Sequence, residues 1–321
     1  MNNIEKKLLR AIGLAVLLTL NSVTTLAELN VFACEPEWGS LVQELGGDKV
    51  SVFNATTGLQ DPHHIQARPS LIAKARRADL LICTGADLEV GWLPLLLRKA
   101  GNNNIQPGSS GHVMATNFVT LLDQPISLDR SEGDVHAAGN PHVQMDPYRI
   151  AVIAKALGSQ LQKIDPDNAE YYQDKSRDFM KRWQAAIQGW QQQLEPLQGM
   201  PIVVHHKNWI YLQEWTGLKP VATLEPKAGI PPSADYLSKL ITGLKQQPAR
   251  MILFAAHQNS RSSKWLAERT NLPLVKLPFT VGGSEKATNL FELFNETVQL
   301  LLHASQIETK DDTRNSDGAS R

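Results

Sequence analysis

The sequence predicts an α/β fold in which two lobes are joined by one long helix. Short apolar runs alternate with helical patterns in the first half of the chain, and the same alternation resumes near residue 201. A single long amphipathic segment, 165–197, separates the two series. The 321 residues, 42% of them hydrophobic, are enough to build a core in each lobe. We therefore expect two Rossmann-like lobes, 28–164 and 198–306, on either side of the linking helix.

The first lobe begins with a strand, a helix and a strand, which is typical of a parallel sheet. The predicted strands are Leu29–Ala33, Val50–Phe53 and Ala78–Gly85. The predicted helices are Trp38–Leu45, stopped by two glycines, Pro69–Arg76, and a run from Pro147 to about Gln162. Residues 101–140 are rich in Asn, Gly and Ser, and there we expect loops with one strand.

The linking helix has a clear start and a clear end in the sequence. Asp165 and Pro166 suit an N-cap and a first helical position, and Pro196 and Gly199 end the run. A helix of this length extends roughly 40 Å, enough to contact both lobes. Because its tryptophans share one face, we interpret them as core residues rather than ligand contacts. The apolar positions at helical spacing are Tyr172, Phe179, Trp183, Ile187, Trp190 and Leu194.

The second lobe repeats the alternation. Its predicted strands are Pro201–Val204, Val221–Leu224, Met251–Ala255 and Leu274–Leu277. Its predicted helices are Trp209–Trp215, Ser233–Lys245, Arg261–Thr270 and Ala287–His303. The tail that follows, 307–321, is polar and without periodicity, which predicts disorder.

Residues 1–27 have the composition of a secretory signal peptide. Lys6, Lys7 and Arg10 precede an apolar run, and small residues close the segment near Ala27. The run is shorter than the ~20 residues of a membrane span, so we favour a signal peptide over a transmembrane anchor. The mature protein is then expected in the periplasm, an oxidising compartment.

Cys34 and Cys83, the two cysteines of the chain, lie at the ends of predicted strands. If the strands are neighbours, the two thiols could pair in a disulfide, which an oxidising compartment would preserve. Two reduced, buried thiols are the alternative. Lipidation at Cys34 is a third interpretation, which the bulky Phe32 just before it disfavours.

The charge balance argues against nucleic acid as a partner. Thirty-two basic residues offset thirty-two acidic ones. The sequence also has no basic patch interleaved with aromatic residues, as nucleic-acid binding requires.

Three groups of histidines follow strand-like runs or stand in adjoining loops. They are His63 and His64, His142, and His205 and His206. Because open α/β sheets bind ligands at the carboxyl edge of their strands, we expect these imidazoles to meet in the cleft between the lobes. Three neutral imidazoles suit Zn²⁺ better than Mn²⁺, which prefers oxygen ligands. From the local sequence alone, either member of each pair could be the ligand.

Together these motifs resemble those of the zinc-binding solute receptors of ABC importers, the cluster A-I or high-affinity zinc uptake protein family. The resemblance covers nearly the whole mature chain, from the Asp-Pro-His loop through Asn-Pro-His and His-x-x-aromatic-x-Tyr to the terminal helix. It implies two lobes with a metal cleft between them.

The resemblance also implies a ligand set. His63 directly follows Asp-Pro and His142 follows Asn-Pro, as in the family motifs. His206 is the third ligand, because Trp209 and Tyr211 then occupy the aromatic and tyrosine positions. By this match, the adjacent residues His64 and His205 are not ligands.

The chain departs from the family pattern in three places, one of which is Ala255-Ala256 where the resemblance leads one to expect a glutamate. Where family members often have an aspartate late in the second lobe, 277–283 contains no carboxylate, so we expect water or His257 as the fourth ligand. The long insertion rich in His, Asp and Glu of many zinc receptors is absent. Asp134 and His136 remain near its place, where a second, weak metal site is an alternative.

The function that the resemblance implies is that of a monomeric periplasmic protein that captures Zn²⁺ and delivers it to the membrane permease of an ABC importer, without catalysis. A secreted zinc-dependent hydrolase is the alternative, since three histidines and a water also form catalytic zinc sites. It would need a general base, for which Glu225 is the candidate, and the chain has no His-Glu-x-x-His motif. The triple-histidine pattern disfavours a receptor for an organic ligand such as a siderophore or haem.

Overall fold

The computed structural model describes residues 28–125, 136–227 and 229–307. The predicted signal peptide, Asp134 and residues 308–321 of the predicted tail lie outside these ranges. Within them, no helix combines the length and the apolar character that crossing a membrane requires.

Four parallel strands form the sheet of the first lobe, in the order β2-β1-β3-β4. They are β1 Leu29–Ala33, β2 Val50–Asn54, β3 Leu80–Cys83 and β4 His112–Met114. The helices are α1 Pro36–Gly46, α2 Pro69–Ala75, α3 Leu93–Ala100 and α4 Pro147–Ile164. Helix α3 is not among the predicted elements, because its first residues form a short apolar run that has no clear period.

A disulfide joins Cys34 and Cys83 at the carboxyl edge of this sheet. Ala33 of β1 is in register with Ile82 of β3, so the residues that follow lie side by side, with Cα atoms 4.8 Å apart. Both cysteines are fully buried, and Cys34 therefore offers no exposed thiol for a lipid. The bond ties together the two central strands where the loops toward the cleft begin.

The linking helix, α5 Ala169–Leu194, has a 3₁₀ turn at each end, Pro166–Asn168 and Glu195–Leu197. The helical run as a whole extends from Pro166 to Leu197, as predicted, although Asp165 makes no capping bond to the backbone. Its carboxylate instead accepts hydrogen bonds from the Asn168 amide and the Tyr172 hydroxyl, both at 2.7 Å. All six predicted apolar positions of α5 are buried, which confirms that its tryptophans belong to the core.

The second lobe has its own sheet of four parallel strands, in the order β6-β5-β7-β8. They are β5 Pro201–Val204, β6 Lys219–Thr223, β7 Met251–Ala255 and β8 Leu274–Leu277. The helices are α6 Ile210–Thr216, α7 Ala234–Gln246, α8 Arg261–Thr270 and α9 Leu290–Ser305. The α/β class and the two-lobed arrangement are as predicted.

Helix α5 belongs to a core that both lobes share. One continuous buried cluster contains Val31 and Ile82 of the first sheet, Ile202 and Leu253 of the second, and the apolar face of α5. The opposite face of each sheet has a smaller cluster of its own. The predicted domain boundaries, 164/165 and 197/198, fall between secondary-structure elements. That they separate independent structural units stays a prediction.

Candidate metal centre

A cavity of 620 Å³ lies between the two lobes, at the carboxyl ends of their strands. The first lobe contributes the loop after β2, and the second contributes the loops after β5, β6 and β7. The predicted ligands His63, His142 and His206 line this cavity. Three further histidines line it too: His64, His205 and His257.

His63 is held by the residues just before it. Asp61 begins a 3₁₀ turn and accepts hydrogen bonds at Oδ1 from the backbone N–H of His63, at 3.0 Å, and from its Nδ1, at 2.8 Å. Burial alone would raise the pKa of Asp61, but the hydrogen bonds and the charge of His63 bring it below its usual range. The ionised carboxylate keeps the proton of His63 on Nδ1, so that Nε2 can act as a ligand.

His142 is the most buried of the three predicted ligands. Its side chain is 3% exposed, and its Nδ1 has no hydrogen-bond partner among the described residues. Burial, followed by the nearby imidazoles of His63 and His206, lowers the pKa of His142 well below its ordinary value. The ring is therefore neutral near pH 7, the form that binds a metal ion. A buried nitrogen that lacks a partner among the described residues also fits the role of a metal ligand.

The loop that carries His142 is docked on the second lobe. The Asn140 amide donates to the Lys207 carbonyl at 3.1 Å, and the Tyr211 hydroxyl donates to the Asn140 carbonyl at 2.6 Å. The Trp215 indole donates to the Met145 carbonyl at 2.8 Å. These bonds connect the His142 loop directly to α6 and to the turn before it, which follow His206 in the chain.

The pair His205 and His206 shares one carboxylate. Glu225, which follows β6, lies 2.6 Å from Nδ1 of His206 through Oε2 and 3.3 Å from Nε2 of His205 through Oε1. Nδ1 of His205 also lies 2.7 Å from the Ser263 hydroxyl, so both nitrogens of His205 are engaged. Despite burial, the hydrogen bonds from the two imidazoles lower the pKa of Glu225 to about 2. Nε2 of His206 is therefore the nitrogen of this pair best placed to bind a metal ion.

The three predicted ligands surround one region, but their spacing is wider than that of a loaded site. The ring centroids of His63 and His206 lie 5.8 Å and 6.5 Å from that of His142. Among the described residues, the group whose candidate ligand atoms all lie within 4.8 Å of one another contains Cys34 and Cys83 with Glu89, and its sulfurs form the disulfide. A tetrahedral zinc ion holds its nitrogens about 3.4 Å apart. Because the nitrogens of His63, His142 and His206 do not form such a compact group among the described residues, the three imidazoles must move closer to share one ion.

Phe279 occupies the segment where the resemblance leads one to expect a carboxylate. Its ring contacts His142 at 5.0 Å, His257 at 5.2 Å and Trp209 at 5.2 Å. Burial lowers the pKa of His257, which keeps this ring neutral as well. As a fourth ligand, His257 stays a prediction.

His63 also contacts His136. Nε2 of His136 is 3.2 Å from Nε2 of His63, and the His136 ring lies 6.4 Å from that of His142. The sequence indicates His136 only as a remnant of a missing insertion, together with Asp134, which lies outside the described residues. The structure places His136 beside the predicted ligands.

Three buried glutamates form a cluster near His142, and no sequence pattern indicated them. Glu35, Glu37 and Glu89 are each at most 3% exposed, and a smaller pocket bounded by Glu35 and Glu37 also contacts His142. Burial raises the pKa of all three, to about 7 for Glu37 and for Glu89. The Thr280 hydroxyl of the second lobe donates to Glu37, so this cluster also connects the lobes.

We expect Glu37→Gln to change the pH dependence of stability. Because the folded-state pKa of Glu37 exceeds its ordinary value of 4.5, the folded protein binds more protons than the unfolded one between pH 4.5 and about 7. Glu37 therefore makes the free energy of unfolding fall as the pH rises through this window, by on the order of 3 kcal/mol. Urea denaturation of metal-free protein at pH 5 and pH 8 should show a smaller loss in the variant.

The comparison between variant and wild type isolates Glu37 from other groups. The lowered pKa of His142 acts with the opposite sign, since its unfolded form binds more protons, but both proteins contain it. Glu170→Gln, at an exposed position of α5, is the matched control. An identical pH profile for Glu37→Gln and wild type would show that burial of this carboxylate has no energetic effect.

Comparison with known proteins gives a family and a fold. The family described as "ZnuA: Zinc-uptake complex component A periplasmic" matches residues 31–304. The chain is 27% identical over 214 residues to the high-affinity zinc uptake system protein ZnuA of Bacillus subtilis strain 168. This match covers 64% of the chain, and the chain spans 64% of the length of that relative.

Relatives with another metal in their names are also found. The manganese ABC transporter substrate-binding lipoprotein PsaA of Streptococcus pneumoniae serotype 4 is 20% identical over 264 residues, covering 81% of this chain and 82% of that protein. Among solved structures, a crystal structure of ZnuA superposes with a TM-score of 0.73 at 21% identity, over 87% of this chain and 100% of that one. At this identity, the structural likeness shows the fold.

Proposed function

The chain belongs to the family of periplasmic zinc-uptake components A, and from this premise we propose that it captures Zn²⁺ between its lobes and delivers it to the permease of an ABC importer. One observation carries the proposal: His63 and His206 enter from different lobes and both face His142, which is buried and whose Nδ1 has no hydrogen-bond partner in the described part of the chain. The chemistry is ligand exchange, and no substrate is turned over.

The choice of zinc rests on the ligand atoms. His63, His142 and His206 offer nitrogen, which zinc accepts readily, whereas manganese favours oxygen. Residues 277–283, where the resemblance leads one to expect an aspartate, contain no carboxylate that would shift this preference toward manganese. Relatives named for zinc and for manganese both occur, so the set of donor atoms is the feature that distinguishes the two cargoes in this chain.

The hydrolase alternative has no support. Members of this family bind a transported substrate and are not enzymes. The candidate general base, Glu225, lies between His205 and His206, with its two oxygens directed at these imidazoles. This carboxylate orients a ligand and is not placed to activate a water molecule.

We propose that the signal peptide 1–27 directs export to the periplasm, and that the mature chain acts there as a monomer. The partner is the membrane permease of an ABC importer, to which the loaded protein transfers its ion.

A metal titration of the purified mature chain tests this function. We expect one zinc ion per chain, and in competition with a chromogenic chelator we expect zinc to bind more tightly than manganese. Measurements with Zn²⁺, Mn²⁺, Co²⁺ and Ni²⁺ under identical conditions would establish the order. Failure to bind any of these ions, or a preference for manganese, would contradict the proposal.

We expect Glu225→Gln to weaken zinc binding about 10- to 100-fold, the range found when a group that orients a metal ligand is removed. The neutral amide has the shape of the carboxylate but makes the His206 imidazole less basic and holds its proton less firmly on Nδ1. Competition with a chelator at pH 7.5 measures the change. Asp235→Asn, at an exposed position of α7, is the control, and a Glu225→Gln affinity equal to that of the control would exclude this role.

A further inference from the structure

His136 forms a contact that the three-histidine site does not explain. Its Nε2 atom faces Nε2 of His63 at 3.2 Å, and the two ring centroids are 5.3 Å apart. The ring of His142 lies 5.8 Å from His63 and 6.4 Å from His136, edge-on to both. The three rings thus form one cluster, with His206 on the far side of His142.

The hydrogen bonds of the outer nitrogens define where the protons are. Nδ1 of His136 lies 3.0 Å from the Ala86 carbonyl oxygen, which can only accept, so this nitrogen carries a proton. Nδ1 of His63 lies 2.8 Å from the Asp61 carboxylate and is protonated for the same reason. In the neutral form of both rings, the two Nε2 atoms therefore direct lone pairs at each other across the 3.2 Å contact.

One metal ion bound to both Nε2 atoms would use both lone pairs, and the distance between the two atoms fits such an ion. A tetrahedral zinc ion with Zn–N bonds of about 2.0–2.1 Å separates any two of its nitrogen ligands by about 3.4 Å. The distance between the His63 and His136 nitrogens is already close to that edge of a tetrahedron. Each of the two rings is also oriented through its other nitrogen, the arrangement usual for imidazoles that bind a metal.

We propose that His136 is the fourth protein ligand, so that His63, His136, His142 and His206 bind the ion as four imidazoles. This inference rests on the proposed function and specifies its site. It replaces water in the fourth position and favours His136 over His257, whose ring contact within the described residues is with Phe279. A site with nitrogen ligands alone also strengthens the discrimination against Mn²⁺.

X-ray absorption at the zinc edge, combined with chelator competition, tests the proposal on the mature chain loaded with one zinc ion. We expect four imidazole ligands in the wild type and three in His136→Ala, with an affinity at least about tenfold lower in the variant. His64→Ala and His257→Ala are the matched controls, because both rings line the same cavity and neither should alter the ligand count.

The possible outcomes separate the two proposals. If the wild type binds zinc through three imidazoles and an oxygen, or if His136→Ala changes neither ligand count nor affinity, the role of His136 is wrong while the proposed function stands. A loss of one imidazole in His257→Ala would likewise overturn it. If the wild type binds no zinc, the proposed function fails, and the fourth ligand fails with it. The ligand count of the wild type does not depend on how any variant folds.

Discussion

Replacing His142 with alanine is expected to lower the affinity for zinc by more than about 100-fold, beyond the usual effect of altering a residue that only orients a ligand. His142 lies between His63 and His206, so its removal takes away the imidazole that lies between the ligands from the two lobes. The ring is 3% exposed, and the space that it leaves cannot supply an equivalent donor. Competition with a chelator of known affinity at pH 7.5 gives the ratio of dissociation constants.

The control for this variant is His64→Ala. His64 lies in the same cavity, with its ring 6.2 Å from that of His63, but it is exposed to solvent. We expect its removal to leave zinc affinity within about threefold of wild type, because it is not placed among the ligands. Thermal unfolding of both metal-free variants checks that the fold persists. Equal affinities for the two variants would remove His142 from the site.

The largest effect on stability is expected from Trp183→Ala, in the middle of the linking helix. Its indole is fully buried, packs on Phe179 at 5.3 Å and on Phe291 at 4.9 Å, and donates to the Pro147 carbonyl at 2.8 Å. Truncation of a buried tryptophan leaves a large cavity and costs about 3–5 kcal/mol. The lost hydrogen bond adds to this cost, because the Pro147 carbonyl is left without its donor.

Urea denaturation followed by far-UV circular dichroism measures the cost of this substitution. Gln184→Ala is the matched control, since it changes the next residue of the same helix at an exposed position. Its effect should stay within about 0.5 kcal/mol. Trp183→Phe should fall between the two, because it keeps an aromatic ring and loses the indole donor. If Trp183→Ala were no more destabilising than Gln184→Ala, α5 could not be the shared core of the two lobes.

The elements of the fold were largely predictable because their signals are local. Strands β1, β5 and β7 have the predicted bounds, since each is a short apolar run between turn-forming residues. The buried face of α5 follows from the spacing of apolar residues within one segment, and it too is as predicted. Helix α3 was missed because a run of consecutive leucines is compatible with a buried strand as well as with a helix.

The candidate site was predictable only in part, because it depends on pairing across the chain. The sequence placed histidines at strand ends, but it could not choose between His205 and His206 without the family resemblance. In the structure, the difference lies in Ser263, which engages the second nitrogen of His205 from a distant helix. The burial of the Glu37 carboxylate and the contact between His136 and His63 could not be predicted for the same reason. They depend on contacts between segments that are far apart in sequence, which no local pattern encodes.

Anomalous diffraction at the zinc edge, from crystals of the zinc-loaded mature chain, would locate the bound ion directly. We expect one strong peak between the lobes, about 2.0–2.1 Å from a nitrogen of each of His63, His142 and His206. This result requires the three rings to lie closer together than their present centroid separations of 5.8 Å and 6.5 Å from His142. A fully occupied zinc ion elsewhere on the chain, with these three imidazoles left unligated, would contradict it.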